Sequence, residues 1–138
     1  MKLYAQGLQI ELRPRRLVDD EDWVRVQVLV EVNGFSGDFE AWLQLGDLER
    51  FANEIGAMYE SAGKSSSAVL VSAEPDIQIN LAMQTLGGIV GTYALESERL
   101  DGTPTVLSGA FNIDQSFLPS LRQSIYSLIA DLGEKHEL

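Results

Sequence analysis

Few side chains in this sequence can do chemistry. There is no cysteine, and the single histidine, His136, stands in a polar tail two residues from the end. Thiolate metal sites, cysteine nucleophiles and any site needing two histidines are excluded. A general base must also be held in place, which a terminal segment does poorly. Asp38 and Glu40 are the best-spaced carboxylates. On a strand they would share one face about 7 Å apart, inside the roughly 5–10 Å window of paired-acid glycoside hydrolysis. Both should be solvated on an open hairpin, so two charges on a wet sheet face is the simpler reading. The run Asp19-Asp20-Glu21-Asp22 lacks the alternating spacing of a calcium loop; four adjacent carboxylates repel and read as a solvated turn. There is no G-x-S-x-G. Ser36-Gly37 and Ser108-Gly109 read as strand bulges or close packing, and Gly87-Gly88, without the P-loop Lys-Ser/Thr, as hairpin chemistry. No catalytic, metal or cofactor site is expected.

The elements that must position these residues follow from periodicity. Leu8, Ile10 and Leu12 alternate with Gln9, Glu11 and Arg13, a half-buried strand that Pro14 should end or confine to an edge. Val24, Val26, Val28, Val30 and Val32 make a second strand, followed by Asn33-Gly34, the strongest short hairpin signal. A two-residue turn there pairs Val28 with Phe39, Val26 with Ala41 and Val24 with Leu43. Residues 47–62 read as a helix capped by Asp47, striped by Leu48, Phe51, Ile55, Met58 and Tyr59, and closed by Gly63. Four strands are expected at 68–72, 77–84, 89–96 and 105–113, with Leu86-Gly87-Gly88 as a three-residue loop and an acidic turn from Ser97 to Gly102. A last helix should start near Ser116 with Pro119 in its first turn, carry Leu118, Leu121, Ile125, Leu128, Ile129 and Leu132, and close at Gly133. The expected fold is α+β: antiparallel sheets of about seven strands with two amphipathic helices, in the order βββα-ββββα, as one domain over residues 1–138. Phe35-Ser36-Gly37-Asp38-Phe39 and Leu107-Ser108-Gly109-Ala110-Phe111 echo each other ahead of the two helices.

Charge points to binding. With 21 acids against 10 bases the net charge is −11, which disfavours nucleic acid as a partner. Residues 17–60 hold 11 acids and 2 bases. The same segment puts both tryptophans on the outer face of the first hairpin, where Trp23, Arg25, Leu29 and Glu31 run beside Asp38, Glu40 and Trp42. Arg25 opposite Trp42 suggests a cation–π pair. Trp and Arg are favoured interface anchors, and surrounding acids would steer a basic partner toward them. The alternative is that a helix lies over the indoles and makes them core. Arg13-Pro14-Arg15-Arg16 reads as ion-pairing locally with the acidic run. No signal peptide or membrane span is legible, and a cytoplasmic protein is expected.

The order of segments resembles a bacterial family of wall-associated-protein immunity proteins, the WapI type. The resemblance rests on Asp22-Trp23-Val24, Gly34-Phe35-Ser36-Gly37-Asp38-Phe39, Asp47-Leu48-Glu49-Arg50-Phe51, Gly87-Gly88-Ile89 and Ile113-Asp114-Gln115-Ser116-Phe117-Leu118. It implies an antitoxin, not an enzyme, that binds the C-terminal domain of a secreted toxin, often a nuclease. It carries over no site residue. Two other readings compete: a carboxylate-dependent hydrolase using Asp38 and Glu40, and an adaptor that self-associates as a homo-oligomer through the Trp23/Trp42 face.

Overall fold

Asn33 and Gly34 take positive φ, 47° and 91°, in the two-residue turn between β3 (Trp23–Val32) and β4 (Phe35–Gln44). Both residues tolerate that region, and the turn fixes the pairing expected from the valine repeat. Val28 faces Phe39, Val26 faces Ala41 and Val24 faces Leu43. The even-numbered valines from 24 to 30 are buried, and their odd-numbered neighbours stay half-open.

The computed structural model describes residues 1–17, 22–61, 64, 66–72, 76–98 and 101–135. Asp19–Glu21, Gly63 and His136 lie outside these. Two more strands complete the first sheet, β1 (Lys2–Ala5) and β2 (Leu8–Leu17), in the order β1-β2-β3-β4. The second sheet is β5 (Ser66–Val71), β6 (Ile77–Met83), β7 (Gly88–Glu98) and β8 (Pro104–Asp114), in chain order and antiparallel throughout. The described strands thus number eight, one more than expected. The strand missed is β1: four residues are too few for alternation to register. Gly7, at φ 77°, supplies its turn into β2.

β2 also runs past Pro14 to Leu17, with a register shift between Pro14 and Arg16. The proline is tolerated because β1 covers only Leu8 to Glu11. Pro14 pairs with Val26 on one side and has no strand on the other, so a missing N–H costs no ladder bond there. Between β6 and β7 the three-residue loop is Thr85-Leu86-Gly87, one residue earlier than expected. Gln84 N–H donates to Gly88 O at 2.8 Å, and Ile77 and Ile79 face Leu95 and Tyr93.

Helix α1 (Leu45–Glu60) begins two residues before the expected start. Asp47 is in its first turn rather than at the cap, and its carboxylate reaches back to the Gln44 N–H at 3.0 Å. Leu48, Phe51, Ile55 and Met58 are buried, but Tyr59 is 48% exposed and belongs to the outer face. A short 3-10 turn (Gln115–Phe117) leads into α2 (Leu118–Lys135). Gly133 does not close α2, which continues to Lys135. The helix stripe is otherwise as expected, with Ile129 half-buried. α1 packs along β5 and against α2, and α2 packs on β2 and β1. One cluster of apolar side chains from both sheets and both helices forms the core.

The Ser-Gly pairs mark close packing within regular strands. Gly37 lies opposite Val30, and a Cβ there would stand 2.9 Å from Val30 Cγ1. Gly109 lies opposite Tyr93, whose hydroxyl would be 2.7 Å away. Both glycines sit in the fourth strand of their sheet. The chain therefore repeats one order, four antiparallel strands and then a helix.

Candidate functional site

The outer face of the first sheet collects the residues singled out for partner binding. β3 presents Trp23, Arg25, Gln27, Leu29 and Glu31 at alternate positions, and β4 answers with Gln44, Trp42, Glu40, Asp38 and Ser36. β2 adds Gln9, Glu11 and Arg13 opposite Glu31, Leu29 and Gln27. The sequence showed that these β2 residues share a side but not that β2 lies against β3. Five residues separate the two strands in sequence, too many for the two-residue turn rule to set their register.

Neither indole is sealed beneath another element. Trp23 and Trp42 are both half-buried, and the Arg25 guanidinium lies over the Trp42 ring at 5.6 Å. The cation–π pair expected from the register is therefore formed. Arg25 also pairs with Glu40, and Arg15 approaches the same carboxylate at 3.5 Å. The Arg25 Nε is buried without an acceptor. Stacking and the ion pair to Glu40 thus hold this guanidinium while one of its donors stays unused, a cost that fixed orientation must offset.

The other end of the face is different. An open groove passes over Leu29 between Glu11, Glu31 and Asp38. Glu11 is held by Arg13 at 3.3 Å, and Asp38 accepts from Gln27 Nε2 at 2.9 Å. Among the described residues, neither Glu31 nor Asp38 forms an ion pair. As diagonal neighbours across the β3/β4 pair, their Cα atoms stand about 7–8 Å apart. The face is therefore divided: an arginine-neutralised tryptophan end, and a carboxylate end around a half-buried leucine. The strands of this sheet carry five bases and four acids. The negative excess of residues 17–60 thus resides mainly off the strands, in the acidic run and α1.

The arginines near Pro14 reach strand residues, Arg13 to Glu11 and Arg15 to Glu40. Among the described residues, no three His, Asp or Glu side chains converge as a metal site would require, and no helix is long and apolar enough to cross a membrane.

Residues 3–133 match the family model of the Immunity protein WapI-like family, and the chain belongs to that family. No curated protein matches it.

Proposed function

We propose that this WapI-like immunity protein acts by stoichiometric binding: it holds the C-terminal domain of a secreted bacterial toxin inactive in the producing cell. The contact surface in this reading is the outer face of the first sheet. Trp23, Arg25 and Trp42 serve as anchors, Leu29 as the apolar floor, and Glu31 and Asp38 as the acids that meet the partner, while Glu40 holds Arg25 in place. The observation that carries it is the pair Glu31 and Asp38, two carboxylates without an ion-pair partner among the described residues, beside a half-buried leucine on a face where both indoles are only half-buried.

The arrangement favours a partner that presents Lys or Arg around an apolar contact. Cations enter between Glu31 and Asp38 while aromatic area is buried at the Trp42 end. A nuclease domain, whose substrate-gripping surface is basic, is a partner of that chemistry. Glu40 plays a different part: two arginines already engage it, so it holds Arg25 over Trp42 and is not available to the toxin.

The test is protection. The C-terminal domain of a candidate toxin is expressed with and without this chain, and cell survival is scored. Wild type is expected to protect, and the triple variant Glu31→Lys, Asp38→Lys, Glu40→Lys to lose protection while keeping its folded circular dichroism. Full protection by the triple variant would remove this face from the account. Failure of wild type to protect or to bind would remove the function.

A further inference from the structure

Among the described strands, β8 forms one margin of the second sheet, hydrogen-bonds to β7 alone and also comes near β1. Which of its backbone groups face outward follows from the ladder. Gly88 O accepts from Gln84 N–H, and Glu96 N–H donates to Asp76 O at 2.9 Å, so even-numbered residues of β7 turn toward β6. Antiparallel strands alternate, so odd-numbered residues of β7 turn toward β8. There they meet odd-numbered partners, Gly91 opposite Phe111 and Tyr93 opposite Gly109. The even-numbered Val106, Ser108, Ala110 and Asn112 therefore point their N–H and C=O groups out of the sheet. All four are exposed.

The other three margins are blunted. β1 is four residues long, and its Lys2 N–H donates to Ser124 Oγ at 3.0 Å. β5 lies along α1, with the Val69 N–H taken by Glu54 Oε1 at 2.9 Å. β4 carries Asp38, which forms no ion pair among the described residues and repels another acidic chain. β8 has no register shift against β7, and no charge or proline between its end residues, Pro104 and Asp114. An open edge of this kind is a template for another strand.

We infer that β8 pairs with β8 of a second copy, antiparallel about Gly109, to make a continuous eight-stranded sheet. Charge selects that occupant. Two chains of net charge −11 repel wherever their acids meet, and this edge lets them approach through residues that carry none. A basic toxin strand would find no carboxylate between the ends of the ladder.

The register is self-complementary. Val106 meets the partner's Asn112 and Ser108 meets the partner's Ala110, so the outward-facing residues coincide as hydrogen-bonded pairs. Leu107 meets the partner's Phe111 on the inward side. Gly109 sits on the two-fold axis at a non-hydrogen-bonded position, where facing Cα atoms come to about 4.5 Å and the absence of a side chain helps.

This inference stands apart from the toxin-binding reading, which uses the other sheet. The test is sedimentation velocity over a concentration series on wild type, Ala110→Pro and Ala110→Lys. Proline at 110 removes an outward N–H and leaves the β7 ladder intact; lysine places a charge at the edge. Wild type is expected to dimerise with concentration. Either variant should raise the dissociation constant at least about tenfold, with circular dichroism and toxin binding unchanged. A wild-type monomer up to about 1 mM, or a dimer that survives both substitutions, would overturn the inference. So would loss of toxin binding in the folded variants, which would make β8 an acceptor for a toxin strand.

Discussion

The two sheets share one plan and differ in what they show to solvent. Each is a four-stranded antiparallel meander followed by a helix, with a glycine in the fourth strand opposite a buried third-strand residue. The strands of the first sheet carry nine charged residues, and those of the second carry three acids and no base. On the first sheet the charges organise one another: Arg15 and Arg25 close on Glu40, Arg25 covers Trp42, and among the described residues Glu31 and Asp38 form no ion pair. On the second, the outer face holds Gln78, Asn80, Ala82, Thr92, Ala94, Ser108 and Ala110, with valines between and Glu96 toward one end. A shared backbone plan therefore carries a charged outer face in one half and, along β8, an uncharged edge in the other. The inner faces follow the same rule in each half, so fold and recognition are written in alternate residues of the same strands.

The comparison breaks most easily at the tryptophans. Trp42→Ala should weaken toxin binding by about 2–4 kcal/mol, the range of an interface anchor. Thr92→Lys on the second sheet should leave it unchanged. Calorimetric titration of both variants against the toxin domain checks this, and equal losses would erase the distinction between the faces.

Two glycines packed under cross-strand side chains, Gly91 in β7 and Gly37 in β4, give the next largest effect. A Cβ on Gly91 would stand 2.1 Å from the Phe111 ring, against 2.9 Å from the Val30 methyl for Gly37. A ring cannot bend aside as a valine rotamer can. Gly91→Ala should therefore cost about 1–3 kcal/mol in urea unfolding, and Gly37→Ala clearly less. The reverse order would show that the Phe111 ring yields more readily than the Val30 side chain.

A third difference is titration. In the first half, burial lowers the pKa of the Met1 amine from 8.0 to about 6, although it still donates to Leu12 O at 3.0 Å. Between those values the unfolded chain holds a proton that the folded chain has released. Stability should thus rise with pH from about 6 to 8 and level off above, by on the order of 2 kcal/mol. Urea midpoints across that range measure the slope, and acetylation of the amine should flatten it. An unchanged slope after acetylation would assign it elsewhere.

How much of this was legible beforehand varies by element. The valine repeat with Asn33-Gly34 gave the β3/β4 register residue for residue, because a two-residue turn leaves one alignment that buries Val24 to Val30. The family was legible in short motifs distributed along the chain, and residues 3–133 match its model. β1 was not legible, since four residues carry little period. The neutralisation of Glu40 was hidden for another reason. Arg15 reaches Glu40 through the irregularity after Pro14, in a strand whose alignment to β3 no local rule sets. Tyr59 fits the spacing of the α1 stripe yet lies at its margin, where spacing alone cannot tell core from rim.

The smallest expected effect tests that hidden network. Glu40→Gln removes the shared partner of Arg15 and Arg25, both partly exposed, and should cost no more than about 1 kcal/mol of stability. It should also disturb the Arg25–Trp42 stack, visible as a change in tryptophan fluorescence. An unaltered emission spectrum would mean that stacking alone holds the guanidinium.

The central claim is that Glu31 and Asp38 draw a cationic toxin surface onto the first sheet. Stopped-flow association of the toxin domain with wild type and with the Glu31→Lys, Asp38→Lys double variant, from low to high salt, tests it most directly. The account predicts a wild-type rate constant that falls steeply as ionic strength rises, and a slower double variant whose rate is flat or rises with salt. Identical, salt-independent rates for the two proteins would contradict it.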